Sequence, residues 1–96
     1  MSIIERYQQV QHNTSLRNFD LQYLTIGFSG EVGEVCNEVK KLVRDDDGVL
    51  TNERRRKMID EMGDVMWYFM GMVRVLDTSM EEILENNMAK CINKSS

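Results

Sequence analysis

A chain of 96 residues has the size of one domain, near the lower limit for burying a core unaided. Its hydrophobic share of 42% and charged share of 29% exclude a membrane protein and do not suggest disorder. The net charge of −4 argues against a nucleic-acid coat, and the basic runs KKLVR (40–44) and RRRK (54–57) read as solvated helix faces.

The N-terminal stretch MSIIERYQQVQ has neither the apolar run nor the cleavage site of an export signal. No apolar run approaches the roughly 18 residues of a membrane span. Cys36 and Cys91 stand far apart with no CxxC or CxxH spacing, which fits reduced thiols and a cytoplasmic location. His12 is the only histidine, so any histidine-based metal site or Ser-His or Cys-His catalysis would rest on that one residue.

With no proline and weak strand signals, the spacing predicts an all-α fold of four helices. The first runs from about Ile3 to His12, with Ser2 and Glu5 as a capping box. The second runs from about Phe19 to Arg44, where Leu21, Leu24, Phe28, Val32, Val35, Val39 and Leu42 step by three or four. DDDGVLTN breaks the pattern with an Asp-Gly turn, and Thr51 caps the next helix. That third helix, about Asn52 to Leu76, carries Met58, Met62, Val65, Phe69, Met72 and Leu76 at the same period. Thr78 or Ser79, three residues before Glu81 or Glu82, starts a fourth helix reaching about Ile92. Short connections between long amphipathic helices imply one domain over 1–96, built as an antiparallel four-helix bundle.

Acids flank the apolar stripes. Glu31, Glu34 and Glu38 each precede an apolar position of the second helix by one residue, and Glu61 and Asp64 do the same in the third. One residue is a rotation of about 100°, so an antiparallel hairpin packed stripe to stripe opens both acidic flanks onto one face. Height agrees, because the numbers of Glu34 and Glu61, and of Glu31 and Asp64, both sum to 95 about a turn near Asp47-Gly48. Carboxylates gathered at one level repel and raise one another's pKa values. Solvent and nearby lysines relieve that repulsion in one reading, and a divalent cation relieves it in the other. Gly30, Gly33 and Gly63 lie beside the acids inside helical pattern, where each costs on the order of 1 kcal/mol against alanine. Close helix packing or room for a ligand explains such a cost.

The stretches GFSGEVGEVCNEVKK and DEMGDVMWYFMGMV resemble the signature of the MazG-like nucleotide pyrophosphohydrolases. That all-α superfamily includes the dimeric dUTPases and dCTP pyrophosphatases. The resemblance rests on Glu31-x-x-Glu34, a spacer of 26 residues and Glu61-x-x-Asp64. Lys40-Lys41, Gly63-Asp64-Val65 leading into Trp67-Tyr68, and the tail SMEEILENNMAK support it, and it covers about residues 20–91. It implies hydrolysis of nucleoside triphosphates, ribo or deoxy, between the α and β phosphates to a monophosphate and pyrophosphate. The role it implies is housecleaning or control of the nucleotide pool.

By the same resemblance Glu31, Glu34, Glu61 and Asp64 are the ligands of Mg²⁺, with Mn²⁺ as a substitute. Glu34 and Glu61 then take part in catalysis, and Glu38 joins as a further ligand or orients a water. Lys40, Lys57, Lys90 and Asn87 are the candidates for the phosphates. Tyr68, which continues the acidic flank, is favoured for base or ribose contact over Trp67, which is placed in the core or a dimer interface. The chain ends in CINKSS, without the basic, aromatic-containing tail of many short relatives.

Phosphoryl transfer asks for positioning and charge neutralisation, which suits a carboxylate-rich protein with a single histidine. A thin bundle rich in Val, Met and Leu also predicts a symmetric dimer or a dimer of dimers. The alternative is a non-enzymatic helical interaction module whose acidic face binds a basic partner. An oxygen-activating metal bundle is set aside because no Glu-x-x-His motif occurs.

Overall fold

Helices form where caps and apolar periods place them. In the computed structural model they are α1 (Ile3–Thr14), α2 (Leu21–Asp45), α3 (Asn52–Val75) and α4 (Met80–Ser95). It describes every residue except Leu16, Asn18 and Ser96, and not the side chain of Ser95. Among the described residues there is no strand, as an all-α chain requires.

The Ser2–Glu5 capping box is made in both directions. Thr51 Oγ1 accepts from Arg54 N at 3.1 Å to start α3, and Ser79 rather than Thr78 caps α4, accepting from Glu82 N at 3.1 Å. Asp20 is the cap of α2, accepting from Tyr23 N at 2.9 Å, so that helix begins two residues later than its apolar period suggests. The turn between α2 and α3 reverses the chain through Asp47 and Gly48, both in the left-handed region at φ 54° and 74°.

The long α2 and α3 pack as an antiparallel hairpin, with α1 laid against α3. Two glycines set the closeness of the hairpin. A β-carbon on Gly27 would overlap the Tyr68 ring, and one on Gly71 would press on Leu24 and Gln11. Both pairs, Gly27 with Tyr68 and Leu24 with Gly71, keep the register that sets Glu31 opposite Asp64. By contrast a β-carbon on Gly30, Gly33 or Gly63 would meet nothing within 4 Å, so close helix packing inside this chain does not require glycine there.

Cover is thin. Leu24, Met70, Val73 and Met80 are the buried hydrophobics. Val32, Val39 and Met62, expected between the helices, stay 39%, 43% and 53% exposed. Two helices cover only one side of each stripe, and α4 brings Met80 and Ile83 against Met70 and Val73 of α3. The radius of gyration is 16.0 Å, against about 12.5 Å for a compact chain of this length.

The contrast between glycines is testable. Gly27→Ala is expected to destabilise the chain by about 1–3 kcal/mol through the overlap with Tyr68. Gly30→Ala, in open helical space, is expected to stabilise it by about 0.5–1 kcal/mol. Urea unfolding followed by circular dichroism reads both, and equal effects would mean that Gly27 does not set the helix approach.

Candidate active site

The acidic face of the hairpin is built by α2 and α3 together. Carboxylate oxygens of Glu31, Glu61 and Asp64 lie within 4.8 Å of one another. Among the described residues none of the three is ion-paired. Partial removal from water, followed by the charges of Asp64 and Glu34, raises the pKa of Glu31 above its ordinary 4.5. Glu61 is raised likewise, first by loss of water and then by Asp64, Glu34, Glu31 and Glu38. Oxygen-only donors that repel one another and lack a counter-ion suit a hard cation such as Mg²⁺. Glu34 stands exposed beside the trio without joining it, though its charge is felt by two members.

Glu38 lies apart from the role expected of it. It is buried, and its Oε2 accepts from Arg54 Nη1 at 2.7 Å while its Oε1 faces Lys41 Nζ at 3.7 Å. The Arg54 bond, with Lys41 and Lys57 behind it, holds its pKa below the ordinary value. Arg54 also donates from Nε to Asp46 Oδ2 at 2.8 Å, tying α3 to the hairpin turn. A carboxylate with both oxygens turned to cations acts as a strut of the hairpin, and Glu38, expected as a ligand or water-orienting group, is not among the carboxylates gathered at the trio. The same geometry corrects the reading of RRRK as wholly solvated, since Arg54 is largely enclosed.

Tyr68 sits on the acidic face against Gly27. Burial first, then the Tyr23, Glu31 and Asp64 side chains, push its hydroxyl pKa up. Trp67 turns the other way. Its Nε1 donates to Thr14 Oγ1 at 3.0 Å, fastening α3 to α1.

The expected phosphate ligands are not gathered at the trio. Lys57 pairs with Glu53 at 3.3 Å, and Lys40 is exposed and makes no ion pair among the described residues. Asn87 accepts from Cys91 Sγ at 3.7 Å on α4, where Lys90 is also exposed. One residue absent from the sequence reading is Tyr7 of α1. Its hydroxyl donates to the Gly63 carbonyl at 3.5 Å, and burial with the nearby Asp64 charge raises its pKa. No spacing rule reaches from α1 to α3, so only packing reveals it.

A helical hairpin that closes three unpaired carboxylates into one cluster defines an all-α protein whose acidic site suits a cation. Residues 19–96 match the family described as the MazG nucleotide pyrophosphohydrolase domain, and the chain belongs to that family. It is similar to the "Gene 37 protein" of Mycobacterium phage L5, with 44% identity over 70 residues. That match takes in 73% of this chain and 61% of the phage protein, so under two thirds of that relative is spanned. No solved structure matches significantly. Among the described residues no helix is long and apolar enough to cross a membrane.

The charges of the site give a pH signature. Glu31 and Glu61 hold protons more tightly when folded, so protonating them stabilises the fold, and that gain is complete below 4.5. Glu38 runs the other way, giving stability that is present above 4.5 and lost as pH falls through its lowered value. The Tm of metal-free protein is therefore expected to climb as pH falls from neutrality towards 4.5 and to drop below it. Glu31→Gln should shrink the climb. Scanning calorimetry across this range checks the sign, and a Tm that only falls on acidification would count against the mutual repulsion.

Proposed function

We propose that the chain hydrolyses nucleoside triphosphates, ribo or deoxy, at the α–β phosphate bond to give a monophosphate and pyrophosphate. The observation that carries this reading is the cluster of Glu31, Glu61 and Asp64, three carboxylates without a counter-ion, within the segment that matches the family. These three residues would hold Mg²⁺. Bound there, the ion supplies charge neutralisation for phosphate oxygens and a water of lowered pKa.

The chain's own residues supply the rest. Glu34, exposed and outside the trio, would accept a proton from the attacking water. The Arg54–Glu38 pair holds α2 and α3 together about two to three turns from the cluster, which would help the carboxylates keep their spacing without a ligand. Tyr68 flanks the acids with a hydroxyl that remains protonated at neutral pH and would offer a donor to a phosphate or ribose, while the Tyr7 hydroxyl is turned to the Gly63 carbonyl. Lys40, Lys57, Asn87 and Lys90 serve the phosphates if they swing in or are brought by α4 of this or another copy.

The uncovered valines and methionines support a homodimer or homotetramer. One apolar patch is formed by Val32, Val35, Met62, Val65 and Met66. A second runs between Ile3, Ile4, Tyr7 and Met80 and shares Met66 with the first.

Pyrophosphate release should depend on Mg²⁺, with monophosphate as co-product identified by ion-exchange chromatography. Orthophosphate and a diphosphate instead would place the cut at the wrong bond. Glu61→Gln should lose at least about two orders of magnitude of turnover with an unchanged helical spectrum. Mg²⁺ should also raise Tm over an EDTA control, by a stabilisation of about 2.7 kcal/mol at a hundredfold excess over Kd. Matched Na⁺ should do much less, and equal effects of the two salts would remove the metal site.

A further inference from the structure

A second cavity, of about 250 Å³, opens where α1, the start of α2 and the end of α3 meet. Gln11, Phe19, Leu24, Gly71 and Arg74 line it, with Arg17 beside them. It is smaller than the roughly 300–1,000 Å³ of sites that hold whole ligands, and so has room for part of one.

Gln11 is 1% exposed, yet half of its amide is unused. Its Oε1 accepts from Arg74 Nη2 at 2.9 Å. Arg74 Nη1 also contacts His12 Nδ1. A guanidinium only donates, so the Arg74 bond fixes the amide with its oxygen towards Arg74 and its NH₂ turned away. Among the described residues no acceptor meets Nε2. No fully enclosed side-chain nitrogen or oxygen lacks a partner there, so Nε2 is not sealed off. It lies beside Gly71, where a β-carbon would stand 3.1 Å from it, and both residues line the cavity. The cavity therefore presents a donor held in one orientation, with further donors from Arg17 and Arg74.

Position and shape say what that donor meets. Leu24 and Gly71 lie two helical turns, about 10 Å, from Glu31 and Asp64 on the same faces of α2 and α3. Tyr68 on Gly27 lies between. Tyr68 lies within electrostatic reach of Tyr23, and Tyr23 stacks on Phe19 with ring centroids 4.1 Å apart, so aromatic side chains lead from the acids to the cavity. Two turns match the reach of a nucleoside from its α-phosphate to the far edge of its base.

We infer that this cavity receives the nucleobase and that Gln11 Nε2 donates to a carbonyl oxygen on it. Uracil, thymine and guanine present such an oxygen where cytosine and adenine present an amino group, which would set donor against donor. The inference rests on the proposed reading of the acids as the phosphate end. Gln11 is then a specificity-determining residue, and Arg74 is the positioning residue that fixes its amide.

The test is kcat/KM for dUTP, dTTP and dGTP against dCTP and dATP with Mg²⁺, in the full chain. Wild type should favour the keto group by about tenfold or more. Gln11→Glu, which replaces the donor by an acceptor at the same volume, should cut or invert that ratio. Gln11→Met should abolish it without inversion. Calorimetric titration of dUMP and dCMP gives the same comparison without turnover. A flat wild-type panel, or a ratio unchanged in Gln11→Glu, overturns the inference even if either variant folds poorly, because the wild-type panel stands alone. If no triphosphate is cleaved but dUMP still binds more tightly than dCMP in wild type only, the pocket assignment survives and the hydrolase reading fails.

Discussion

The acidic site depends on how closely α2 and α3 approach at Gly27, where the Tyr68 ring occupies the space a side chain would fill. Leu24 against Gly71 repeats the device a little under one turn further along. Two such points fix both the separation and the register of a hairpin, because a slip of one residue turns a helix by about 100°. The register they impose sets Glu31 level with Asp64, and that closes the carboxylates to within 4.8 Å. Close approach is thus obtained from glycines away from the acids. The glycines among the acids face open space.

At the turn end the electrostatics are of the opposite kind. Arg54 joins Glu38 to Asp46, so a buried carboxylate there is matched by a cation and held in its charged form. At the trio, mutually repelling groups have no such match. One row of acids on α2 therefore serves two purposes, structural at Glu38 and unsatisfied at Glu31. The difference is made by which cation of α3 can reach across, since Arg54 lies near the turn and α3 carries no basic residue between Lys57 and Arg74.

Much of this was legible in the sequence. The number and order of the helices and three of their caps follow from periodicity, and a turn that fixes where counting starts puts Glu31, Glu34, Glu61 and Asp64 at one level, of which the structure gathers Glu31, Glu61 and Asp64. What stayed hidden depends on three-dimensional neighbours. Glu38 continues the acidic row at the expected spacing, and only packing shows that Arg54 reaches it. Asp20 was missed as a cap because Phe19 and Leu21 extend the apolar signal past it. Gln11, Tyr7 and Arg74 had no signal at all, since α1 carries no motif that fixes its docking on α3. The close-packed Gly27 and Gly71 carried no signal for a similar reason. Nothing local separates Gly27, beneath a ring, from Gly30 in open space.

The left-handed turn at Asp47-Gly48 has a kinetic consequence. It lies between two helices whose contacts pair residues at steadily growing distance from it, so each ring of contacts closes a loop only slightly larger than the last. Loop-closure entropy is then lost in small steps, and zippering outward from the turn is the cheap route. The Arg54–Asp46 and Arg54–Glu38 bonds are among the first available on that route, and the acidic level is reached only after them. The repulsive part of the hairpin is thus assembled on a stretch already joined, so charges that oppose folding do not stand at its nucleus.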